Sequence, residues 1–316
     1  MIEYYTKKQG ELHMLTKAEP GCWINIEPPF NREELQHLAE EHNIPLDFFT
    51  DSLDIDERSR YETEDGVRLI VVNTPLLNEV DEEEVDAIFI TVPIGIILTE
   101  QHIFTISSHP NPVIERFQTN KVKFFDPQDH KLFVLQIFQQ TVFRYLSCLR
   151  QLNRRSNIIE QKLYDSSQNR ELMQLLSIEK SYVYFINSLN SNELLKMKIK
   201  RTDYLGIGRD EELTDLFEDI IIDNSQALEM ANVYSNILNG TMDAYSSIIS
   251  NNLNIVMQRL TLITIILMVP TLVASFYGMN VHLPLQERPY AFILLIVISL
   301  VLSLALAIYF QRKRLF

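Results

Sequence analysis

Two long uncharged runs near the C-terminus constrain this chain more than any other feature. From Leu260 to Gln286 there is no Lys, Arg, Asp or Glu, and Tyr290–Phe310 adds another 21 residues without a charge. A helix needs about 20 apolar residues to cross hydrocarbon, and a lipid-exposed backbone must satisfy its own hydrogen bonds. Both runs are therefore expected to cross a membrane as helices, the first through the 18 residues Leu260–Tyr277. Q-R-K-R follows Phe310 directly, and such an excess of bases marks a cytoplasmic end. Two spans then place both termini in the cytoplasm and leave only V-H-L-P-L-Q-E-R-P outside.

The charge distribution agrees. Residues 1–258 hold 41 acids against 23 bases, a formal charge of −18, whereas residues 259–316 hold one acid and five bases. An acidic body on an apolar, basic-ended tail excludes nucleic acid as a partner and suits a protein that handles cations beside a lipid bilayer. The two cysteines, Cys22 and Cys148, lie far apart and form neither a disulfide framework nor a zinc knuckle. The start, M-I-E-Y-Y-T-K-K-Q-G, lacks the apolar core of a secretory signal.

The first span has two unlike faces. Asn254, Met257, Thr261, Thr264, Met268, Thr271 and Ser275 recur at steps of 3 and 4, which keeps them on one side of a helix. A stripe of hydroxyls and thioethers on a greasy span is either a helix–helix seam or a pore lining. A pore needs several copies around an axis, because two helices cannot enclose water. The second span is plainer, with Ser299 and Ser303 its main polar residues, and reads as an outer helix.

The rest of the chain is cytoplasmic by this reading. Residues 22–26, 67–75, 86–92, 95–99 and 102–107 are β-branched runs separated by turn residues and are expected as strands. Asn31 is placed to cap a helix and Pro45 to start another. Residues 129–200 lack Gly and Pro and show helical spacing, with a break expected near Ser166–Asn169. The basic stretch 196–201 reads as a solvated helix end, and residues 202–210 as a turn before a last helix starting near Asp210. If continuous from Glu211 to Tyr277, its 67 residues extend about 100 Å at ~1.5 Å each. Such a helix would carry movement of the body to the stripe. Pro270 removes one of its hydrogen bonds.

Y-G-M-N at the outer end of the penultimate span, followed by a short loop, a last apolar span and a basic tail, resembles the CorA family of magnesium and cobalt transport proteins. The resemblance covers effectively the whole chain. It implies an α/β N-terminal cytoplasmic domain, long stalk helices and two C-terminal transmembrane helices, assembled as a funnel-shaped homopentamer in the cell membrane. The corresponding division is 1–127 for the α/β domain, 128–208 for the long helices and 209–258 for the stalk. The pore helix with its mouth takes 259–280, the outer loop 281–289, the second span 290–310 and the basic tail 311–316. The implied activity is entry of Mg²⁺, with Co²⁺ and Ni²⁺ as further cargo, gated by cytoplasmic Mg²⁺.

Residue roles follow from the same resemblance. Gly278, Met279 and Asn280 would form the outer mouth, with Tyr277 holding its shape. Met257, Leu260 and Met268 would form the gate, and Thr271 beside Pro270 a mid-pore oxygen ring. Asn254 would mark the cytoplasmic threshold, and Thr261, Thr264 and Ser275 complete the lining. Asp219, with Glu218 adjacent, would bind regulatory Mg²⁺ shared with a neighbouring subunit, for which Asp81, Glu82, Glu83, Glu84 and Asp86 are the candidate partners. Arg312, Lys313 and Arg314 would ring the cytoplasmic exit. Ser275 departs from the family, which can carry glycine there, and the loop reads H-L-P-L-Q-E-R where M-P-E-L is frequent.

Chemistry supports the assignment. Mg²⁺ gives up water reluctantly and prefers six oxygens, so amide and hydroxyl oxygens can hold its hydration shell without a carboxylate cage. The alternatives are a zinc transporter of the same superfamily and a membrane-anchored divalent-ion sensor that does not conduct. A zinc path calls for His or Cys in the span, and Arg259–Val281 has neither. An anchor needs neither stripe nor mouth. Enzyme signatures are missing from the sequence: no H-E-x-x-H, P-loop or G-x-S-x-G occurs.

Overall fold

The computed structural model describes residues 1–8, 10–78, 86–165, 169–280 and 288–313. The chain forms two compact units, Met1–Gly240 and Thr241–Phe316. In chain order the elements are β1 (Ile2–Lys8), β2 (Glu11–Leu15), β3 (Trp23–Ile26), α1 (Arg32–His42), α2 (Leu46–Asp51), β4 (Arg60–Glu64), β5 (Val67–Leu77), β6 (Phe89–Leu98) and β7 (Ile103–Ile106). Helices α3 (Pro112–Gln118), α4 (His130–Asp165), α5 (Asn169–Thr202), α6 (Glu211–Tyr277) and α7 (Ala291–Arg312) follow.

The first unit is built on one seven-stranded sheet in the order β2-β1-β3-β7-β6-β5-β4. Only the β3–β7 pair is parallel, with Ile24 opposite Phe104. Alternation along each strand feeds two cores. Leu69 and Val71 join Ile24, Ile26 and Phe104 under α1 and α2. Ile70 and Val72 join Trp23, Ile94 and Ile96 under α3, α4 and α5. A sheet covered on both faces follows, which is why β5 and β6 read as nearly continuous apolar runs. Gly95 permits the closest approach of α2, since a Cβ there would lie 2.0 Å from Ser52 Oγ.

Local signals explain most boundaries. Asn31 caps α1 in a full capping box with Glu34, and Pro45 precedes α2. Asp210 Oδ1 accepts from Leu213 N–H at 3.1 Å to open α6. The break expected near Ser166–Asn169 falls on 166–168, outside the described residues. Strands expected at 86–92 and 95–99 are one strand, β6, running through Pro93. The proline is tolerated because it lies beyond the last β7 residue in the ladder, where Gly95 pairs with Ile106.

Strands β1, β2 and β4 and helix α3 lie where the sequence reading places no element. The β4–β5 turn is Asp65-Gly66, both at positive φ, a hairpin signature that was present in the sequence. Asn111 and Pro112 likewise form the N-cap and first turn of α3. The basic stretch 196–201 is corrected in one position: Lys198, Lys200 and Arg201 are exposed, but Lys196 is fully buried. Its Nζ donates to Asn224 Oδ1 at 2.8 Å, and burial lowers its pKa to about 7.

Candidate functional site

The second unit contains the apolar end of α6 and the whole of α7, whose most apolar windows have mean hydropathies of 2.1 and 3.1. Both are almost entirely uncovered within the chain, only 6% and 0% of those windows being buried. Uncharged helices left bare in this way are membrane spans rather than core helices of a soluble domain.

Burial divides α6 lengthwise. Leu262 is buried and Ile266, Val269, Pro270, Val273 and Tyr277 are partly covered. These positions share one side, and from that side Ser303 of α7 reaches the Ile266 carbonyl at 3.4 Å. Asn254, Met257, Leu260, Thr261, Thr264, Met268, Thr271 and Ser275 are all exposed. At about 100° per residue their mean direction lies roughly half a turn from the covered side. The polar stripe therefore faces away from α7. It is not a seam within the chain.

The hydroxyls on this stripe are already half used. Thr261, Thr264 and Thr271 each donate to the carbonyl four residues back, on Met257, Leu260 and Leu267, at 2.9, 2.8 and 3.1 Å. A hydroxyl whose proton is spent presents acceptor lone pairs outward. A hydrated cation shows the opposite surface, its water hydrogens pointing out. The stripe thus offers acceptors to water hydrogens.

At its C-terminal end α6 closes rather than unravels. Gly278 N–H is shared between Ala274 O and Ser275 O at 3.0 and 3.2 Å, and Met279 N–H donates to Phe276 O at 3.3 Å. The negative end of the helix dipole lies here, where it favours a cation without any carboxylate. Gly278, Met279 and Asn280 are exposed there, while Tyr277 is half-buried. Residues 281–287, in the loop expected to be external, lie outside the described residues.

The remaining candidates are elsewhere. Glu218 and Asp219 are exposed on the part of α6 in the first unit, and Lys200 Nζ donates to Glu218 Oε1 at 2.6 Å. Asp219 has no ion-pair partner among the described residues. Asp81, Glu82, Glu83 and Glu84 lie outside the described residues. Asp86 accepts from Ala87 N–H at 2.7 Å and stands 3.9 Å from Lys180. Among the described residues no three His, Cys, Asp or Glu side chains gather into a metal site. Arg312 and Lys313 are exposed at the end of α7, and Arg314 lies outside the described residues. Sequence reading missed the contact of Ser303 with α6, although Pro270 was the signal for it: a proline in a span leaves a carbonyl in need of a donor.

An α/β unit followed by long helices and a C-terminal pair of bare apolar helices, one striped with oxygen acceptors, defines a two-span membrane protein of the cation-transport class. The family model for the CorA-like Mg²⁺ transporter protein matches residues 19–313, and the chain belongs to that family. The cobalt/magnesium transport protein CorA of Methanocaldococcus jannaschii is 29% identical over 297 residues, which cover 92% of this chain and 90% of that one. The complete structure of the CorA magnesium transporter from the same organism superimposes with a TM-score of 0.83 at 25% identity, covering 99% of this chain and 98% of that chain. The cytoplasmic domain of ZntB from Vibrio parahaemolyticus shares the fold at a TM-score of 0.59 and 11% identity, over 80% of this chain and 97% of that one.

Proposed function

We propose that the protein admits Mg²⁺ to the cell, with Co²⁺ and Ni²⁺ as further cargo, through a pore formed by the α6 helices of five copies. The observation that carries this reading is the exposed acceptor stripe on the side of α6 away from α7, ending at Gly278-Met279-Asn280. Asn280 amide oxygens at the mouth and Thr271 below would receive the hydrated ion. Met257, Leu260 and Met268 would close the path by narrowing and dewetting it, with Asn254, Thr261, Thr264 and Ser275 completing the wall. Arg312, Lys313 and Arg314 would surround the exit, and both termini would be cytoplasmic. Regulation would come from cytoplasmic Mg²⁺ held by Asp219, and Glu218 beside it, together with ligands from a neighbouring copy. Asp219 is exposed on α6, where a neighbouring copy could reach it.

Flux into liposomes of purified protein, compared for Mg²⁺, Co²⁺, Ni²⁺ and Zn²⁺, tests the cargo. Asn280→Ala is expected to lower Mg²⁺ flux at least about ten-fold, the scale of losing a hydrogen bond to a charged group. Unchanged flux and selectivity in that variant would remove the mouth from the mechanism.

A further inference from the structure

We propose that Ser303 is a positioning residue for the ion pathway, holding α6 in orientation at its proline. In an α-helix the N–H of each residue serves the carbonyl four residues earlier. Pro270 has no N–H, so the Ile266 carbonyl loses its donor. Hydrocarbon offers no replacement, and an unpaired carbonyl there is costly. Ser303 Oγ of α7 lies 3.4 Å from that oxygen, a contact between residues 37 positions apart. Its behaviour differs from that of its neighbours. Thr261, Thr264, Thr271 and Ser299 donate to carbonyls four residues back on their own helix. Ser303 donates across to α6.

The location gives the bond a consequence for transport, a step that rests on the stripe being the pathway. Ile266 lies on the covered side of α6, whereas Met268 and Thr271 lie on the exposed stripe one short step away on either side of Pro270. A proline-weakened helix can bend or rotate where its ladder is interrupted. Fixing the Ile266 carbonyl to α7 fixes the direction in which Met268 and Thr271 point. Losing the tether lets that ring turn from the axis.

A double-mutant cycle tests the bond and the role separately. Full-length wild type, S303A, S303T, P270A and S303A/P270A are compared by thermal unfolding in detergent and by Mg²⁺ flux in liposomes. S303A is expected to lower thermal stability and to reduce flux by roughly three-fold or more, the scale of one interhelical hydrogen bond in a membrane. S303T, which keeps a hydroxyl, restores both. In the P270A background the new N–H serves Ile266, so adding S303A changes neither. Equal effects of S303A in both backgrounds would show that no tether exists. Coupling in stability with unchanged flux would reduce Ser303 to a packing contact and overturn the positioning role. A wild type that carries no divalent ion would remove the pathway reading and with it the role in transport, while the stability cycle still reports the tether.

Discussion

The ammonium of Lys196 is held by dipoles rather than by a paired carboxylate. Asn224 Oδ1 accepts from it at 2.8 Å, the Phe138 ring centre is 5.4 Å away, and Glu193 on the same helix is the charge that opposes its desolvation. Burial wins, and the pKa falls from 10.5 to about 7. In the unfolded chain the lysine keeps its proton up to about pH 10.5, so the unfolded state binds more protons throughout the interval between those values. Stability must therefore rise as pH rises above about 7, and the cost of burying the charge is fully present below it. Trp23, the single tryptophan, lies in the core of the first unit and reports its unfolding. Relative to Lys196→Met, wild type should gain up to about 1.4 kcal/mol per pH unit between about pH 7 and pH 9.5 in denaturant titrations read at that tryptophan. A difference that stays constant with pH would mean that Lys196 is neutral or solvated throughout.

At the scale of elements, α5 finishes a sheet edge that β4 leaves short. The β4–β5 ladder stops with Arg60 opposite Val71, so Asn73 has no strand partner on that side. Asn192 of α5 supplies both missing bonds, accepting from Asn73 N–H at 3.1 Å and donating to Asn73 O at 2.8 Å, and Tyr145 OH of α4 donates to the same carbonyl at 3.1 Å. Asn192→Leu removes the better acceptor of Asn73 N–H and the acceptor of Ser59 Oγ at 2.6 Å, leaving the N–H only Ser59 Oγ at 3.3 Å and the carbonyl only Tyr145, and should cost about 2–3 kcal/mol, against about 1 for Tyr145→Phe, which removes a single bond. Equal small losses in both variants would show that water replaces the amide. Contacts of this kind bear on how far the sequence could be read. The membrane spans, the stripe, the long helices α4 and α5 and the start of α6 were legible because each has a local cause: an apolar run, a 3–4 spacing, missing breakers, a capping aspartate. β1 and β2 were not, since their residues are mostly half-buried or exposed and their alternation is correspondingly faint. The burial of Lys196 amid exposed Lys198 and Lys200 was missed although its 3–4 spacing with Leu189, Asn192 and Ile199 puts it on the face of α5 that packs against α4 and α6, because a lysine in a basic stretch masks that spacing.

For the whole molecule, the exposed stripe and Asp219 make the same demand. Neither finds a partner among the described residues, and a ring of copies would complete both: acceptors facing a shared axis, and carboxylates meeting across subunit boundaries. The two acids on α6 are not equivalent in such a ring. Glu218 is engaged by Lys200, whereas Asp219 has no ion-pair partner among the described residues. An unneutralised carboxylate near like charge on a neighbour repels it until a divalent cation bridges them. Mg²⁺ should then protect the assembled protein from limited proteolysis, and Asp219→Asn, which keeps size and removes charge, should require several-fold more Mg²⁺ for the same protection. Glu218→Gln should move the titration less, because that carboxylate already spends its charge on a lysine. Flux at high cytoplasmic Mg²⁺ should respond in parallel, with the Asp219→Asn variant still conducting where wild type is closed. Identical protection curves for wild type and both variants would remove this stretch of α6 from any regulation by Mg²⁺.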